Sequence, residues 1–198
     1  MTSRALYHDS SRDIVAGFLD DTIGRLGWYA AQAWWAEEDT LIPGTWAIAP
    51  NAPHALASLV TGHEPMFTED AGLRFLEPTL VPVQALPCVA ECAPDLRAMG
   101  LTQLVVHDIP GMFDFDVRLV FVPPADAVFT DEIAESLASA ARLMPTVIRQ
   151  EKERRELSHS ASHDPLTGLL NRRGLDSALA SLPITDGLRA LIFLDLDK

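Results

Sequence analysis

The last eight residues of the 198-residue chain, LIFLDLDK, place Asp195 and Asp197 directly after a nearly continuous apolar run from Leu188 to Leu194. On an extended chain a two-residue spacing turns both carboxylates to the same side. Hard carboxylate oxygens at a strand end suit Mg²⁺, which is commonly held by one or two carboxylates together with substrate phosphates. Taken alone, DLDK reads better as a solvated strand end. It gains weight from HDPLTGLLNRRGLDSALASL, residues 163 to 182. There Pro165 disfavours helical backbone at Asp164, Gly168 permits a tight turn, and Asn171 can cap the next helix, whose Leu175, Leu179 and Leu182 form a narrow apolar stripe. His159 and His163 have the four-residue spacing of metal ligands on a helix, but two further ligands at suitable spacing are missing.

The remaining reactive side chains invite plainer readings. Cys88 and Cys92 fit reduced thiols better than a disulfide framework; their role is open between redox sensing, ligation and simple burial, with burial favoured. Trp28, Trp34, Trp35 and Trp46 lie on or near one hairpin and read as core more readily than as the lining of a ligand pocket. His107, inside an apolar strand, reads as a satisfied core or edge histidine. A formal net charge of −13 and pI near 4.7 disfavour binding to nucleic acid or anionic lipid. Neither a signal peptide nor a run of the roughly 18 apolar residues of a spanning helix is present, so a cytoplasmic protein is expected.

These residues need elements to hold them. SRDIVAGFLDDTIGRLG carries Ile14, Val15, Phe18, Leu19, Ile23 and Leu26 on one stripe and predicts a helix over roughly residues 11 to 26, ended by Gly27. WYAAQAWWAEE and TLIPGTWAIA predict a hairpin, with Pro43 and Gly44 marking a bulge or an edge. APHALASLVTG predicts a short helix, and the stretch through Pro78, Pro82 and Pro87 alternates extended pieces with loops. LTQLVVHDI and FDFDVRLVFV predict neighbouring antiparallel strands joined through Pro110 and Gly111. A long helix follows from Thr130, an N-cap candidate with acidic residues in the first turn. Its stripe of Ile133, Leu137, Ala140, Ala141, Met144 and Ile148 continues past Pro145, a kink position. Between Gln150 and Ser162 the stripe fades into charge, which fits either a solvated spacer or half of a dimeric coiled coil.

Helix, hairpin, short helix, further strands and exit helix give an α+β class with an antiparallel sheet. Residues 11 to about 148 resemble a GAF domain: SLVTGHEPMFTED is similar to that family's turn before its middle strands, APDLRAMGLTQLVV to its helix running into a Gly-led strand, and FTDEIAESLASAARLM to its closing helix. A PAS domain is the nearest alternative. Asp164, Pro165, Leu166, Thr167, Gly168 and Leu169, followed by Asn171, Arg172 and Arg173, resemble the opening segment of the GGDEF family, the diguanylate cyclases. His163 before the aspartate is also frequent in that family.

The two resemblances imply a GAF-like sensor domain over 1–148, a helical linker over 149–163 and the N-terminal part of a GGDEF (nucleotidyl cyclase-like) α/β domain, its first helix and strand, over 164–198. By resemblance, Asp195 is a metal ligand for Mg²⁺ with the backbone of Leu196 beside it, whereas Asp197 is less defined and Lys198 stands at a variable position. The same resemblance implies that Asp164, Leu166, Thr167, Gly168, Asn171 and Arg172 would form a stiff joint where the second domain begins, with an ion pair between Asp164 and Arg172. The implied activity is condensation of two GTP to cyclic di-GMP in a homodimer regulated by the GAF-like domain. The alternative is a degenerate GGDEF domain that binds GTP or cyclic di-GMP without turnover, an arrangement that can precede an EAL phosphodiesterase domain. The GGDEF tetrad, the guanine-reading residues and the phosphate-binding lysine do not occur in the 198 residues, so this polypeptide is expected to be a fragment that catalyses nothing by itself. The bilin-binding Cys-His pair is absent from the sensor region, and the sequence names no ligand for it.

Overall fold

The computed structural model describes residues 3–37, 40–61, 66–67, 73–89, 91–112 and 115–181. The chain divides into two compact units, 1–152 and 153–198. Among the described residues no helix is long and apolar enough to cross a membrane.

In the first unit, α1 (Ser3–Leu26) leads into a hairpin of β1 (Ala30–Glu37) and β2 (Thr40–Ile48), then α2 (His54–Thr61) and the two-residue β3 (Met66–Phe67). Next come β4 (Thr79–Pro82), two 3₁₀ turns, α3 (Ala93–Ala98), β5 (Gln103–Met112), β6 (Phe115–Val122) and the exit helix α4 (Asp131–Ser162). Among the described residues the strands form one six-stranded sheet in the order β3-β2-β1-β6-β5-β4, every pairing antiparallel. The central position of β1 and β6 explains their dense apolar content, since both of their faces are covered.

Period-two alternation splits the core in two. One face presents Ala31, Ala33 and Trp35 of β1, Val105 of β5, and Val117, Leu119 and Phe121 of β6. It buries them against Val15, Leu19 and Ile23 of α1 and Leu137, Ala141, Met144 and Ile148 of α4. The opposite face presents Ala30, Trp34, Leu104, Val106, Val120 and Val122 to Leu56 of α2 and to Val83, Leu86 and Leu96 from the stretch between β4 and β5. Each fully buried Leu, Ile or Val contributes roughly 1.5–3 kcal/mol, so the apolar stripes of α1 and α4 suffice to fasten both helices to one face.

Several expectations are sharpened. α1 begins at Ser3 rather than near residue 11. The β1/β2 register slips between Gln32 and Trp34, which oppose Trp46 and Pro43, so the Pro-Gly pair marks a bulge inside the sheet. Gly44 is required there: a Cβ would lie 2.1 Å from Trp35 Nε1 and 2.8 Å from the Ala33 carbonyl oxygen. Pro110 and Gly111 also sit in a register shift within β5, Gly111 at φ 66, rather than forming the turn to β6. At the start of α4 the Ile133 amide donates to Thr130 Oγ1 at 3.3 Å, and the helix runs on through Pro145. The second unit contains the end of α4 and α5 (Arg172–Ala180).

Candidate functional site

Two arrangements in the chain can bear on function: a polar network set into the sheet of the first unit, and the turn between α4 and α5 in the second.

The network begins with a pairing the strands impose. β5 and β6 place Asp108 directly opposite Arg118, and β1 places Trp34 on the other side of Arg118. Asp108 and Arg118 share the face of Trp34, Val106 and Val120, where water is excluded. The Asp108 and Arg118 side chains are 3% and 8% exposed, and the guanidinium donates to both carboxylate oxygens, Nε to Oδ1 at 2.8 Å and Nη2 to Oδ2 at 3.1 Å. Buried charges persist when paired and hydrogen-bonded throughout, and here a peptide segment completes the set. Arg118 Nη2 donates to the Leu73 carbonyl at 2.7 Å, the Phe75 amide donates to Asp108 Oδ2 at 2.9 Å, and the guanidinium lies 5.3 Å from the Phe75 ring centroid. Closer to the β5/β6 turn, Arg74 pairs with Asp116, which also accepts from the Gly111 amide at 2.9 Å. Partial burial pushes the Asp116 carboxyl up, but the Gly111 amide and Arg74 outweigh it and hold the group below the usual carboxylate range.

His107, next in sequence to Asp108, points to the opposite face and is buried, with Nδ1 3.2 Å from the Phe75 carbonyl. A carbonyl only accepts, so Nδ1 carries the proton of the neutral ring. Burial lowers the pKa of His107, an effect opposed by the Phe75 carbonyl, Glu77 and Asp108. With the folded value depressed, the unfolded chain takes up the proton first as pH falls through the ordinary value of about 6.5. The expected result is a loss of stability on acidification below that value. Thermal unfolding from about pH 7.5 to about pH 5, compared with His107→Gln, checks it: the substitution should flatten the slope, and an unchanged slope would assign the acid sensitivity to other groups.

Trp28, Trp34 and Trp35 are core, as expected, whereas Trp46 is 45% exposed. Trp28 packs edge-on against Phe121 with centroids 5.6 Å apart. Cys92 is buried, its thiol donates to the Val89 carbonyl at 3.2 Å, and burial raises its pKa, all features of an unreactive thiol. Of Cys88 only the backbone is described.

In the second unit α4 stops at Ser162 and a compact turn follows. Asp164 Oδ1 accepts from the Leu166 amide at 3.1 Å and from the Thr167 amide and hydroxyl, each at 2.9 Å. These bonds, those of Thr167 first, hold its carboxyl below the usual range. Gly168, at φ 70, returns its amide to the Asp164 carbonyl at 2.9 Å, and the Asp164 amide meets the Leu169 carbonyl at 2.8 Å. The expected ion pair of Asp164 with Arg172 is not formed: the carboxylate is taken up by its own turn, and Arg172 is exposed at the first position of α5.

Asn171 closes the turn instead. Its Oδ1 accepts from the Gly174 amide at 2.9 Å and so caps α5, while Nδ2 donates to the Ala161 carbonyl at 3.1 Å and the His163 carbonyl at 3.3 Å. Its backbone amide donates to the Ser162 carbonyl at 2.9 Å. One residue thereby satisfies carbonyls left over at the end of α4 and an orphan amide at the start of α5. Gly174 lets the two helices meet, since a Cβ there would stand 2.0 Å from the Ser162 carbonyl oxygen. The rings of His159 and His163 stack with centroids 3.9 Å apart, and His163 Nδ1 lies 2.9 Å from Ser162 Oγ. Among the described residues no group of three or more His, Cys, Asp or Glu side chains is placed to hold a metal ion. Asp195 and Leu196, expected to hold Mg²⁺, lie outside the described residues.

The sequence did not single out Asp108, Arg118 or Gly174. The first two carried a usable signal: two opposite charges, one in each of two otherwise apolar strands expected to pair. Gly174 carried none, since its need arises from the approach of α4.

No protein-family model matches the chain, and no curated protein matches it. Solved structures do. GAF3 from Slr1393 of Synechocystis sp. PCC6803, in its photoproduct state, aligns with a TM-score of 0.52 at 11% identity, covering 74% of this chain and 98% of that one. The GAF domain/HD domain protein from Geobacter sulfurreducens aligns with a TM-score of 0.48 at 10% identity, covering 73% and 96%. The phycoerythrobilin-bound GAF domain from a cyanobacterial phytochrome aligns at 0.47 and 15% identity, covering 77% and 93%. The likeness to GAF3 shows a GAF-like fold, an antiparallel sheet with flanking helices, over 74% of the chain.

Proposed function

We propose that this GAF-like fold is the sensor of a diguanylate cyclase and that the turn at residues 163–174 is where the catalytic domain begins. The observation that carries the reading is the continuity of α4 from the core of the first unit to Ser162, followed at once by the DPLTGLLNRR turn with Asn171 bound to both helix ends. An exit helix that ends in a rigid turn can pass a rotation or a displacement onward, whereas a flexible linker would absorb it. The domain assignment proposed is 1–148 for the sensor, 149–163 for the linker and 164–198 for the start of the GGDEF domain.

In a protein carrying the complete catalytic domain, each subunit of a homodimer holds one GTP. The 3′-hydroxyl of each GTP attacks the α-phosphate of the other; each attack forms a phosphodiester and breaks the bond to pyrophosphate, giving cyclic di-GMP and two pyrophosphates. Asp195 and the backbone of Leu196 would hold Mg²⁺, whose contribution is to lower the hydroxyl's pKa and neutralise charge on the departing pyrophosphate. The sensor acts by changing how α4 packs and hence how often the two GTP-bearing domains meet, a coupling between two sites through one two-state element.

The test is to incubate the purified protein, complete catalytic domain included, with GTP and Mg²⁺, follow cyclic di-GMP by chromatography, and run Asp195→Ala beside it. Product that disappears in the variant is the expected result. A protein that binds GTP or cyclic di-GMP yet makes no product would replace this reading with the non-catalytic one, a regulatory GGDEF domain.

A further inference from the structure

We propose that residues 73–77 act as a strap that transmits the state of the buried pair of Asp108 and Arg118 to the exit helix α4. The strap runs beside β5 just ahead of β4 and is fastened at three places. On one face of the sheet, Arg118 holds the Leu73 carbonyl at 2.7 Å and Asp108 holds the Phe75 amide at 2.9 Å. At the edge of β5, the Phe75 carbonyl accepts from the Asp108 amide at 2.7 Å and faces Nδ1 of His107, whose ring belongs to the other face. Toward α4, Glu77 Oε2 stands 4.0 Å from Arg142 Nη2, and Arg142 Nε donates to the Ala138 carbonyl at 3.2 Å within that helix.

The geometry gives the strap its effect. Phe75 and Glu77 are separated by a single residue, so a peptide pulled away from the sheet at Phe75 carries Glu77 with it. The exposed ion pair of Glu77 with Arg142 is weak by itself. Its partner Ala138 nevertheless belongs to the buried stripe of α4, which makes this contact a bias on the helix rather than a support for the fold. Any event on the Asp108 face that competes for the carboxylate or the guanidinium would be felt at α4. The inference does not depend on the catalytic reading of residues 163–198, because its readout lies within the first unit.

Amide hydrogen exchange on the whole chain, read by mass spectrometry, tests the proposal. Arg118→Lys keeps the charge but loses the forked geometry; it should raise exchange in the strap and across residues 138–148 of α4 about threefold or more, leaving α1 over 15–23 unchanged. Glu77→Gln should raise exchange in the α4 segment only, and adding Arg118→Lys to it should give no further rise there. Equal rises in α1 and α4, no change in α4, or full additivity in the double variant would overturn the strap. If Arg118→Lys does not fold, Asp108→Asn, nearly the same in shape, carries the same expectations.

Discussion

Arg118→Ala should cost the first unit roughly 3–5 kcal/mol of stability, the range for stripping one partner from a buried ion pair. The expectation comes from what remains rather than from what is removed. Asp108 would stay in place with its side chain 3% exposed, held by the Phe75 amide but deprived of both guanidinium bonds. An ionised carboxylate left that way has neither water nor a counter-charge. The Leu73 carbonyl would lose its donor as well. Denaturant unfolding measures the loss, and the double variant Arg118→Ala with Asp108→Ala makes the argument sharper. Removing both charges should be less damaging than adding the two single costs, because no orphan remains. A single variant within about 1 kcal/mol of wild type would mean that water reaches the site and that the pair contributes as little as a surface one.

Gly174→Ala should disrupt the turn between α4 and α5, at a cost of roughly 1–3 kcal/mol or more, the range for overpacking a tight contact. Alanine is ordinarily the better helix former by about 1 kcal/mol, so propensity alone predicts the opposite sign. Sterics decide here: the new methyl would lie 2.0 Å from the Ser162 carbonyl oxygen, and the obstacle is backbone, which cannot rotate aside. That carbonyl also accepts the Asn171 amide, so relieving the clash would pull on the cap. Exchange of the Asn171 and Gly174 amides should accelerate together while the sheet amides keep their protection. Unchanged exchange at both positions would show that α5 can slide at no cost and that the turn is not a stiff joint.

The elements themselves were largely legible in the sequence because their patterns record burial. The stripe from Ile14 to Leu26 and the stripe from Ile133 to Ile148 face one core, and the two strand pairs were visible as β-branched and aromatic runs. Burial patterns fail where a segment is helical without an apolar stripe. The first turns of α1, SRALYHDS, carry no such stripe, yet a helix nucleated further on extends through them at little cost per residue. Turn residues misled at Pro110 and Gly111, since a bulge and a hairpin turn ask for the same residues. The buried pair of Asp108 and Arg118 needed register, which periodicity does not supply. The turn after α4 was legible as a turn but not in its bonding: the Thr167 hydroxyl and two nearby amides reach the Asp164 carboxylate without the entropy cost of ordering a long arginine.

That substitution of partners has a consequence for the conditions under which the turn stays rigid. An ion pair between Asp164 and Arg172 on the surface would weaken as salt is added, with a Debye length near 8 Å at physiological ionic strength. The amide of Asn171 has no charge to screen and no proton to gain or lose in the physiological range. Its bonds to the two helix ends are therefore indifferent to potassium, to osmotic swings and to modest changes of pH. Whatever α4 delivers to residue 171 would arrive with the same mechanical gain at low ionic strength as at high.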